Sequence, residues 1–256
     1  MDLIIDVGNS RLTFGYFDNG KLVNTTNATY PRNIAQSGLE MVLERINNDT
    51  NINNCIISSV VDEINGALYN AVFNSLHVSP IIINSDFELG IKILSHAPQK
   101  IGMDRIANAV AASKMYKKRP LIVVDCGSAT TFDIVNEEDT FIGGVIFPGL
   151  IMQLRALAAN TSKLPEVSLE EIEKVHTVIN NETSKAILSG VVNAQAQAIQ
   201  GLITKCEKEL KAKPFIIGTG GDAKFISKYM KYKKFNSINP TLTLEGINMI
   251  YELNND

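Results

Sequence analysis

Two short apolar segments, each ending in an aspartate and a glycine turn, lie almost half of the chain apart. The first covers residues 3–10 with Asp6 before the glycine, and the second covers residues 122–129 with Asp125 before the glycine. The shared order of strand, aspartate, spacer, glycine and small polar residue indicates an internal duplication. Each segment is typical of a buried strand ending in a turn that another group can approach. Two such turns facing each other would form a cleft of backbone N–H groups and carboxylates, suited to a metal-bound polyphosphate.

The length and the duplication together predict two domains. A chain of 256 residues forms one large domain or two of ordinary size, and the repeat favours two. Pro120 ends a predicted helix, so we place a first domain at residues 1–119 and a second at residues 120–256. Each half opens with a β-hairpin and continues with helices and strands, which predicts mixed α/β sheets flanked by helices.

Charge and composition narrow the classes of partner. The net charge is −3 and the pI is near 5.7, so no overall attraction to nucleic acid or to an anionic membrane is predicted. An acid follows Met1 where a signal peptide would be basic, and no apolar segment reaches membrane-spanning length without interruption. We therefore expect a cytoplasmic protein without nucleic acid or membrane partners.

The cysteines and histidines argue against a disulfide framework and against a zinc site. The three cysteines are odd in number and far apart, and His77, His96 and His176 are equally scattered. Cys126, inside the second duplicated segment, is interpreted as a packed strand residue and not as a reactive thiol.

One glycine pattern resembles a P-loop without its context. Residues 15–21 fit G-x-x-x-x-G-K, but Leu22 stands where a P-loop has Ser or Thr. The second glycine belongs to Asp18-Asn19-Gly20, which is typical of a hairpin turn and does not open a helix. We predict a hairpin here.

Five glycine-containing segments, in order, resemble the signatures of type III pantothenate kinase. They are Asp6-Val7-Gly8-Asn9-Ser10, Gly102-Met103-Asp104-Arg105, residues 125–131, residues 143–149 and Gly218-Thr219-Gly220-Gly221. One such turn is a weak signal by itself, whereas five at family-like spacing across nearly the whole chain are a strong one.

This resemblance implies a fold and an activity. The fold is a duplicated actin-like (ribonuclease H-like) two-domain α/β ATPase fold with ATP in the cleft between the domains. The activity is ATP-dependent phosphorylation of pantothenate to 4'-phosphopantothenate, the first step toward coenzyme A, by a homodimer. The implied cofactors are a monovalent cation, K⁺ or NH₄⁺, and Mg²⁺ with ATP.

The resemblance also implies which residues bind ATP. They are Asp6, Val7, Gly8, Asn9, Ser10, Arg11, Leu12 and Thr13, with Ser128, Gly220 and Gly221 from the second half. Asp6 by itself could simply close a strand with an Asx turn, but a carboxylate repeated after two apolar strands favours a role with phosphate and metal, here Mg–ATP. Ser128 keeps the hydroxyl of the usual family threonine. A plain helix-opening turn is the alternative for Gly220 and Gly221.

Asp104 is the predicted catalytic base. By residue type it could cap a helix beginning at Arg105, because Asp is a preferred N-cap residue. The resemblance makes it the base on the pantothenate hydroxyl, and makes Gly102, Met103, Asp104 and Arg105 the substrate-binding segment. An ordinary carboxylate is a poor base for an alcohol, but the loose transition state of phosphoryl transfer lets late proton acceptance suffice.

Asp125 and Thr183 complete the implied site. Asp125 matches the family's monovalent-cation ligand. Thr183 by itself is a predicted N-cap of the long helix over residues 184–211, and it aligns with a family threonine that touches substrate. The family asparagine before it is Glu182 here.

Two alternative functions stay open at this point. Ser95 stands where the family often has a substrate-contacting tyrosine, so a kinase of another small alcohol on the same fold is one alternative. The other is a non-catalytic nucleotide-binding regulator. The joint presence of Asp6, Asp104, Arg105 and Asp125 argues against a regulator, because a binding module needs no base.

Overall fold

A computed structural model describes residues 1–31, 33–47, 51–175 and 177–255, so His176 lies outside the described residues. The chain divides into two compact units, Met1–Lys117 with Thr241–Asp256, and Lys118–Pro240. Each unit holds a sheet flanked by helices, as the predicted mixed α/β class requires. None of the helices in the described ranges combines the length and apolar character that a membrane crossing demands.

The elements follow one another in this order: β1 (Asp2–Val7), β2 (Arg11–Asp18), β3 (Lys21–Thr29), α1 (Gln36–Ile46), β4 (Asn54–Ser59), α2 (Asp62–Leu76), β5 (Ile81–Ile82), β6 (Lys92–Ile93), α3 (Met103–Met115), β7 (Leu121–Cys126), β8 (Ala129–Val135), β9 (Thr140–Pro148), α4 (Leu150–Ala159), α5 (Thr183–Leu210), β10 (Phe215–Thr219), α6 (Ala223–Ile226), β11 (Ser237–Ile238) and α7 (Leu242–Leu253). Two 3₁₀ turns, Pro98–Lys100 and Leu169–Lys174, lie in the connections.

β1 is the central strand of the first unit, whose sheet order is β3-β2-β1-β4-β5. β2 is antiparallel to β1, and β4 is parallel to it. Because side chains alternate along a strand, β1 contributes side chains to two hydrophobic cores. Leu3, Ile5 and Val7 pack with α1 and α2, whereas Ile4 packs with α3 and α7.

The β2–β3 hairpin confirms the predicted turn. Asp18 pairs with Lys21, and the two residues between them have positive φ, 48° at Asn19 and 72° at Gly20. This is typical of the tight turns that match strand twist. Gly15 lies inside β2, so the P-loop pattern has no loop-to-helix context here.

α7 packs in the first unit, which differs from the predicted division after residue 119. Gly246 lies so close to α3 that a Cβ would overlap the Ala107 carbonyl. The hydroxyl of Thr243 also donates a hydrogen bond to Asn108 Oδ1 (2.8 Å). The predicted division followed sequence order, whereas the apolar face of α7 is buried against α3.

The second unit repeats the arrangement of the first. Its strands lie in the order β11-β10-β7-β8-β9, with β8 antiparallel and β10 parallel to the central β7. Ile122, Val124 and Cys126 pack on one side of β7 with residues of α4, α5 and α6. β7 therefore has the same kinds of neighbour as β1, as the duplication predicts.

Candidate active site

Asp6 is the next-to-last residue of β1 and is half-buried. Its cross-strand neighbours are Thr13 on β2 and Ser58 on β4. Ile4 and Ile56, two residues earlier on β1 and β4, pack with α3 and α7. Because strand side chains alternate, Asp6 and Ser58 lie on that same face of the sheet.

Two hydrogen bonds hold the turn after β1. The N–H of Gly8 donates to the Arg11 carbonyl (3.0 Å), and the Tyr30 hydroxyl donates to the Gly8 carbonyl (2.7 Å). The second bond ties the turn to the residue that follows β3. The backbone of this turn is therefore set before any ligand arrives.

The predicted ATP segment divides into exposed and buried residues. Asn9, Ser10 and Arg11 are exposed, whereas Val7 and Leu12 are fully buried in the core. The exposed three offer amide, hydroxyl and guanidinium groups that can meet phosphate oxygens. Val7 and Leu12 can meet a ligand only through their backbone, and their side chains anchor the turn.

Asp104 lies in the first turn of α3, with Gly102 as the N-cap residue. Its Oδ1 accepts a hydrogen bond from the N–H of Arg105 (2.8 Å). A Cβ on Gly102 would overlap this oxygen, so the glycine leaves the space that the carboxylate occupies. The interpretation of Asp104 as the N-cap is wrong because the helix begins at Met103, but the carboxylate still lies at the positive end of the helix dipole.

Burial raises the pKa of the Asp104 carboxyl above its ordinary value. The Arg105 N–H hydrogen bond and the Arg105 positive charge both oppose this rise without cancelling it. A carboxylate with a raised pKa is a better proton acceptor than an exposed one.

The start of α3 and the ends of β1 and β4 meet at one edge of the first unit. Val60 follows β4, and a Cβ on Gly102 would stand 3.4 Å from Val60 Cγ1. β1 and β4 are parallel, so Asp6 and Ser58 share that carboxyl-terminal edge. The structure thus places Asp6, Ser58 and Asp104 at the same edge.

Asp125 has a matching environment in the second unit. It is the next-to-last residue of β7, and its cross-strand neighbours are Thr131 on β8 and Thr219 on β10. Each duplicated aspartate therefore lies between a hydroxyl residue on an antiparallel strand and another on a parallel strand. Asp125 alternates with Cys126, so it lies on the face of the sheet opposite to α5.

Gly220 lies against Asp125 in a left-handed conformation, with φ of 82°. A Cβ there would overlap Asp125 Oδ1 and the Cys126 backbone. The N–H of Asp222 donates to the Cys126 carbonyl (3.0 Å), which ties this turn to the end of β7. Gly221 is exposed, and the turn precedes α6, which agrees with the helix-opening interpretation. ATP binding by Gly220 and Gly221 stays a prediction.

The β7–β8 turn packs against Gly149 and leaves Ser128 exposed. The N–H of Gly127 donates to the Ala129 carbonyl (3.1 Å), and the N–H of Gly149 donates to the Ser128 carbonyl (3.1 Å). A Cβ on Gly149 would overlap the carbonyls of Gly127 and Ser128. Gly149 therefore permits this close packing while the Ser128 hydroxyl stays open to a ligand.

Gln153 on α4 and the buried Gln195 on α5 support the strand that follows this turn. Gln195 Nε2 donates to Thr130 Oγ1 (2.6 Å), and Gln153 Nε2 donates to Gln195 Oε1 (2.5 Å). Thr130 and Gln195 are each 1% exposed. Sequence reasoning missed this contact; a polar residue on the buried stripe of α5 was the available signal.

Thr183 is exposed at the first position of α5. The N-cap residue is Glu182, whose carboxylate pairs with Lys185 Nζ (2.6 Å). The predicted capping role of Thr183 is therefore wrong, because the helix starts one residue earlier than predicted. The Thr183 hydroxyl does not cap the helix and is open to solvent.

Sequence reasoning also missed Ser58 and Thr219. Both are 0% exposed, and neither hydroxyl has a hydrogen-bond partner among the described residues. The available signal was position, because each hydroxyl residue stands near the end of an apolar strand, as Asp6 and Asp125 do.

The donor groups suit a cation that arrives with a nucleotide. Across the described ranges, no group of three or more His, Cys, Asp or Glu side chains could hold a metal by itself. Mg²⁺ in phosphate-transferring sites commonly takes one or two carboxylates and completes its shell with phosphates and water. A single carboxylate flanked by hydroxyl residues, present in both units, fits that requirement.

A duplicated α/β arrangement, in which each central strand carries an aspartate two residues before a glycine, defines an actin-like fold. The fold is shared with a Baf family transcriptional activator from Campylobacter jejuni (TM-score 0.60, 22% identity, 99% of this chain and 98% of that one). It is also shared with an activator of 2-hydroxyisocaproyl-CoA dehydratase from Clostridium difficile (TM-score 0.59, 11% identity, 99% and 94%). At these identities the likeness concerns the fold alone.

The family follows from sequence. The model of type III pantothenate kinase matches residues 2–205. A type III pantothenate kinase from Bacillus cytotoxicus is 32% identical over 259 residues, covering 99% of this chain and 97% of that protein. The chain belongs to the type III pantothenate kinase family, and it is a kinase that phosphorylates pantothenate in coenzyme A biosynthesis.

Proposed function

We propose that Asp104 is the base that accepts the proton of the pantothenate hydroxyl while the γ-phosphoryl group of ATP is transferred. The observation that supports this most directly is the burial of its carboxylate at the start of α3, which raises its pKa. The proton moves to Asp104 as the new O–P bond forms and the bond to ADP breaks. The loose transition state requires positioning more than strong basicity.

We assign ATP-binding residues to the carboxyl-terminal strand edge of each unit. Asn9, Ser10 and Arg11 in the first unit offer exposed polar groups to the phosphates, as Ser128 does in the second. Gly220 and Gly221 permit close approach of the nucleotide on the adenosine side. Val7 and Leu12 support this binding from the core.

The cations are assigned to the duplicated carboxylates. Asp6 would hold Mg²⁺ that is bound to ATP, and Asp125 would hold the monovalent cation, K⁺ or NH₄⁺. When bound, such cations neutralise the charge that develops on the phosphate oxygens. The chain's own contribution is to hold each carboxylate at its strand end, with Gly220 leaving room for Asp125.

Pantothenate is assigned to residues 102–105 and to Thr183. Arg105 can offer its planar fork to the pantothenate carboxylate or to a phosphate oxygen. Ser95, in place of the family tyrosine, accepts a hydrogen bond from the Ala97 N–H (3.1 Å) in its own loop and is exposed. A serine hydroxyl supplies no aromatic ring, so we assign acceptor binding to residues 102–105 and Thr183.

We assign the active form to a cytoplasmic homodimer. In the second unit, Ile146 on β9 is 59% exposed and Met152 on α4 is 46% exposed. The family resemblance supports the homodimer, and we take these exposed apolar side chains as candidates for its interface. Analytical ultracentrifugation of the wild type and of Ile146→Lys tests this, since a monomeric wild type would contradict the assignment.

The decisive experiment is transfer of labelled phosphate from ATP to pantothenate, with and without K⁺, by the wild type and by Asp104→Asn. We expect K⁺-dependent transfer by the wild type and a loss of about 10²–10⁴-fold in kcat in the variant. Calorimetry with a non-hydrolysable ATP analogue should show retained nucleotide binding. Wild-type activity in Asp104→Asn would exclude Asp104 as the base.

A further inference from the structure

Ser58 and Thr219 occupy equivalent places in the two units. Ser58 pairs with Asp6 across parallel strands, and Thr219 pairs with Asp125 in the same way. Both side chains are 0% exposed, and within the described part of the chain neither hydroxyl makes a hydrogen bond. The duplication has therefore kept a buried, unpartnered hydroxyl beside each carboxylate.

A buried hydroxyl without a partner costs free energy, because folding removes its hydrogen bonds to water and supplies none in return. Ala or Val would avoid that cost at either position, since neighbouring strand positions are filled by Ile56, Ile57 and Ile217. One unsatisfied hydroxyl is unremarkable, but two at matched positions beside the two proposed cation-binding carboxylates point to a partner that arrives with the ligand.

We propose that Ser58 and Thr219 are matched positioning residues, and that each hydroxyl, with the neighbouring carboxylate, holds one water of the hydrated cation that accompanies ATP. This rests on the proposed assignment of cations to Asp6 and Asp125. The hydroxyls act through the carboxylates and the water, and they do not contact the transferred phosphoryl group.

The chemistry of a cation-bound water favours this pairing. Such a water gives its lone pair to the cation and presents two O–H donors, so it requires two acceptors. A carboxylate oxygen and a hydroxyl oxygen on adjacent strands supply one each. Groups that orient the immediate ligands of a cation strongly affect both affinity and activity.

Thr219→Val and Thr219→Ser form a matched pair for the test. Val keeps the shape and removes the hydroxyl, whereas Ser keeps the hydroxyl. We expect Thr219→Val to weaken calorimetric binding of a Mg²⁺-bound, non-hydrolysable ATP analogue in K⁺ by about tenfold, and Thr219→Ser to restore most of that affinity. Ser58→Ala should weaken binding of the analogue similarly. In this variant, the dependence of the affinity on Mg²⁺ should change, and its dependence on K⁺ should not.

Thermal unfolding without ligand separates this role from a structural one. Removing an unpartnered buried hydroxyl should leave Tm unchanged or raise it, so weaker binding with an undiminished Tm supports the proposal. Thr204→Val, which removes a hydroxyl bonded to the Gln200 carbonyl (2.9 Å) on α5, should leave nucleotide affinity unchanged.

Three results would overturn the proposal. The first is wild-type nucleotide affinity and ion dependence in both Thr219→Val and Ser58→Ala. The second is an equal loss of nucleotide affinity in Thr219→Val and Thr219→Ser. The third is a loss of nucleotide affinity that is accompanied by a lower Tm. If pantothenate is not phosphorylated but the hydroxyls still govern cation-dependent nucleotide binding, the catalytic assignment fails while this inference stands.

Discussion

The carboxylate of Asp104 occupies the place that a Cβ on Gly102 would take. Gly102 is the N-cap residue of α3, and Asp104 is its second helical residue, so the carboxylate folds back over the helix start. Two features therefore position the proposed base. Gly102 has no side chain to displace the carboxylate, and the Arg105 N–H donates a hydrogen bond to it.

Gly102→Ala should misplace the base while the protein stays folded. The new methyl group would push the Asp104 carboxylate from its position, and a shift of about 1 Å in a reacting group can lower kcat roughly 100-fold. Steady-state kinetics with pantothenate measures this. Gly66→Ala is the control, because a Cβ there meets nothing within 4 Å and the residue lies in α2; it should keep wild-type kcat. Equal kcat in both variants would contradict the positioning role.

The pH dependence of activity should reflect the raised pKa of the Asp104 carboxyl. The base works when ionised, so kcat/KM is expected to fall as the pH drops through a pKa above the ordinary 3.8. A pH–rate profile of the wild type measures this acid limb. An acid limb at or below the ordinary value would contradict the burial of the working carboxylate.

The raised pKa of the Asp104 carboxyl also predicts how the stability of the protein depends on pH. Because the folded-state pKa of Asp104 is raised, its contribution to stability is present below pH 3.8 and is lost as the pH rises through the folded value. Asp104→Asn should therefore unfold at a higher temperature than the wild type near pH 7. The difference should disappear at a pH below 3.8, as thermal unfolding at both pH values would reveal. A lower Tm for the variant at neutral pH would contradict this.

Gly220→Ala should combine backbone strain with displacement of Asp125. A left-handed φ costs a non-glycine residue about 1–2 kcal/mol, and the Cβ would also overlap Asp125 Oδ1. We expect Gly220→Ala to unfold at a lower urea concentration than the wild type. We also expect its K⁺-dependent binding of ATP to be weaker.

Gly143→Ala separates these two effects. Gly143 has φ of 109°, but a Cβ there meets nothing within 4 Å. It should lose stability and keep ATP binding. If both variants lose ATP binding equally, Gly220 has no specific relation to Asp125.

The thiol of Cys126 should be unreactive in the folded protein. Cys126 is 2% exposed, and burial raises its pKa, with smaller contributions from the charges of Asp125 and Asp222. The other two cysteines, Cys55 and Cys206, are also buried. A thiol reagent such as DTNB should react slowly with the native protein and rapidly in denaturant. Fast native labelling at residue 126 would contradict the interpretation as a packed strand residue.

Local sequence patterns predicted the two strand-and-turn segments and the β2–β3 hairpin, and the structure confirms these elements. Asp6 and Asp125 stand at the ends of apolar strands, and Asn19-Gly20 marks a hairpin, because each signal depends on a few adjacent residues. The duplication likewise predicted that β1 and β7 would have the same kinds of neighbour. These features follow from side-chain periodicity and turn chemistry, which short segments express by themselves.

The tertiary structure decided what depends on residues far apart in the chain. Sequence order placed α7 in the second domain, but its apolar face and Gly246 pack it against α3. The pairing of Asp6 with Ser58 and of Asp125 with Thr219 exists only once parallel strands from distant segments lie side by side in register. A sequence read along one segment contains apolar periodicity and turn residues; it does not contain the strand register that places a buried hydroxyl beside a carboxylate.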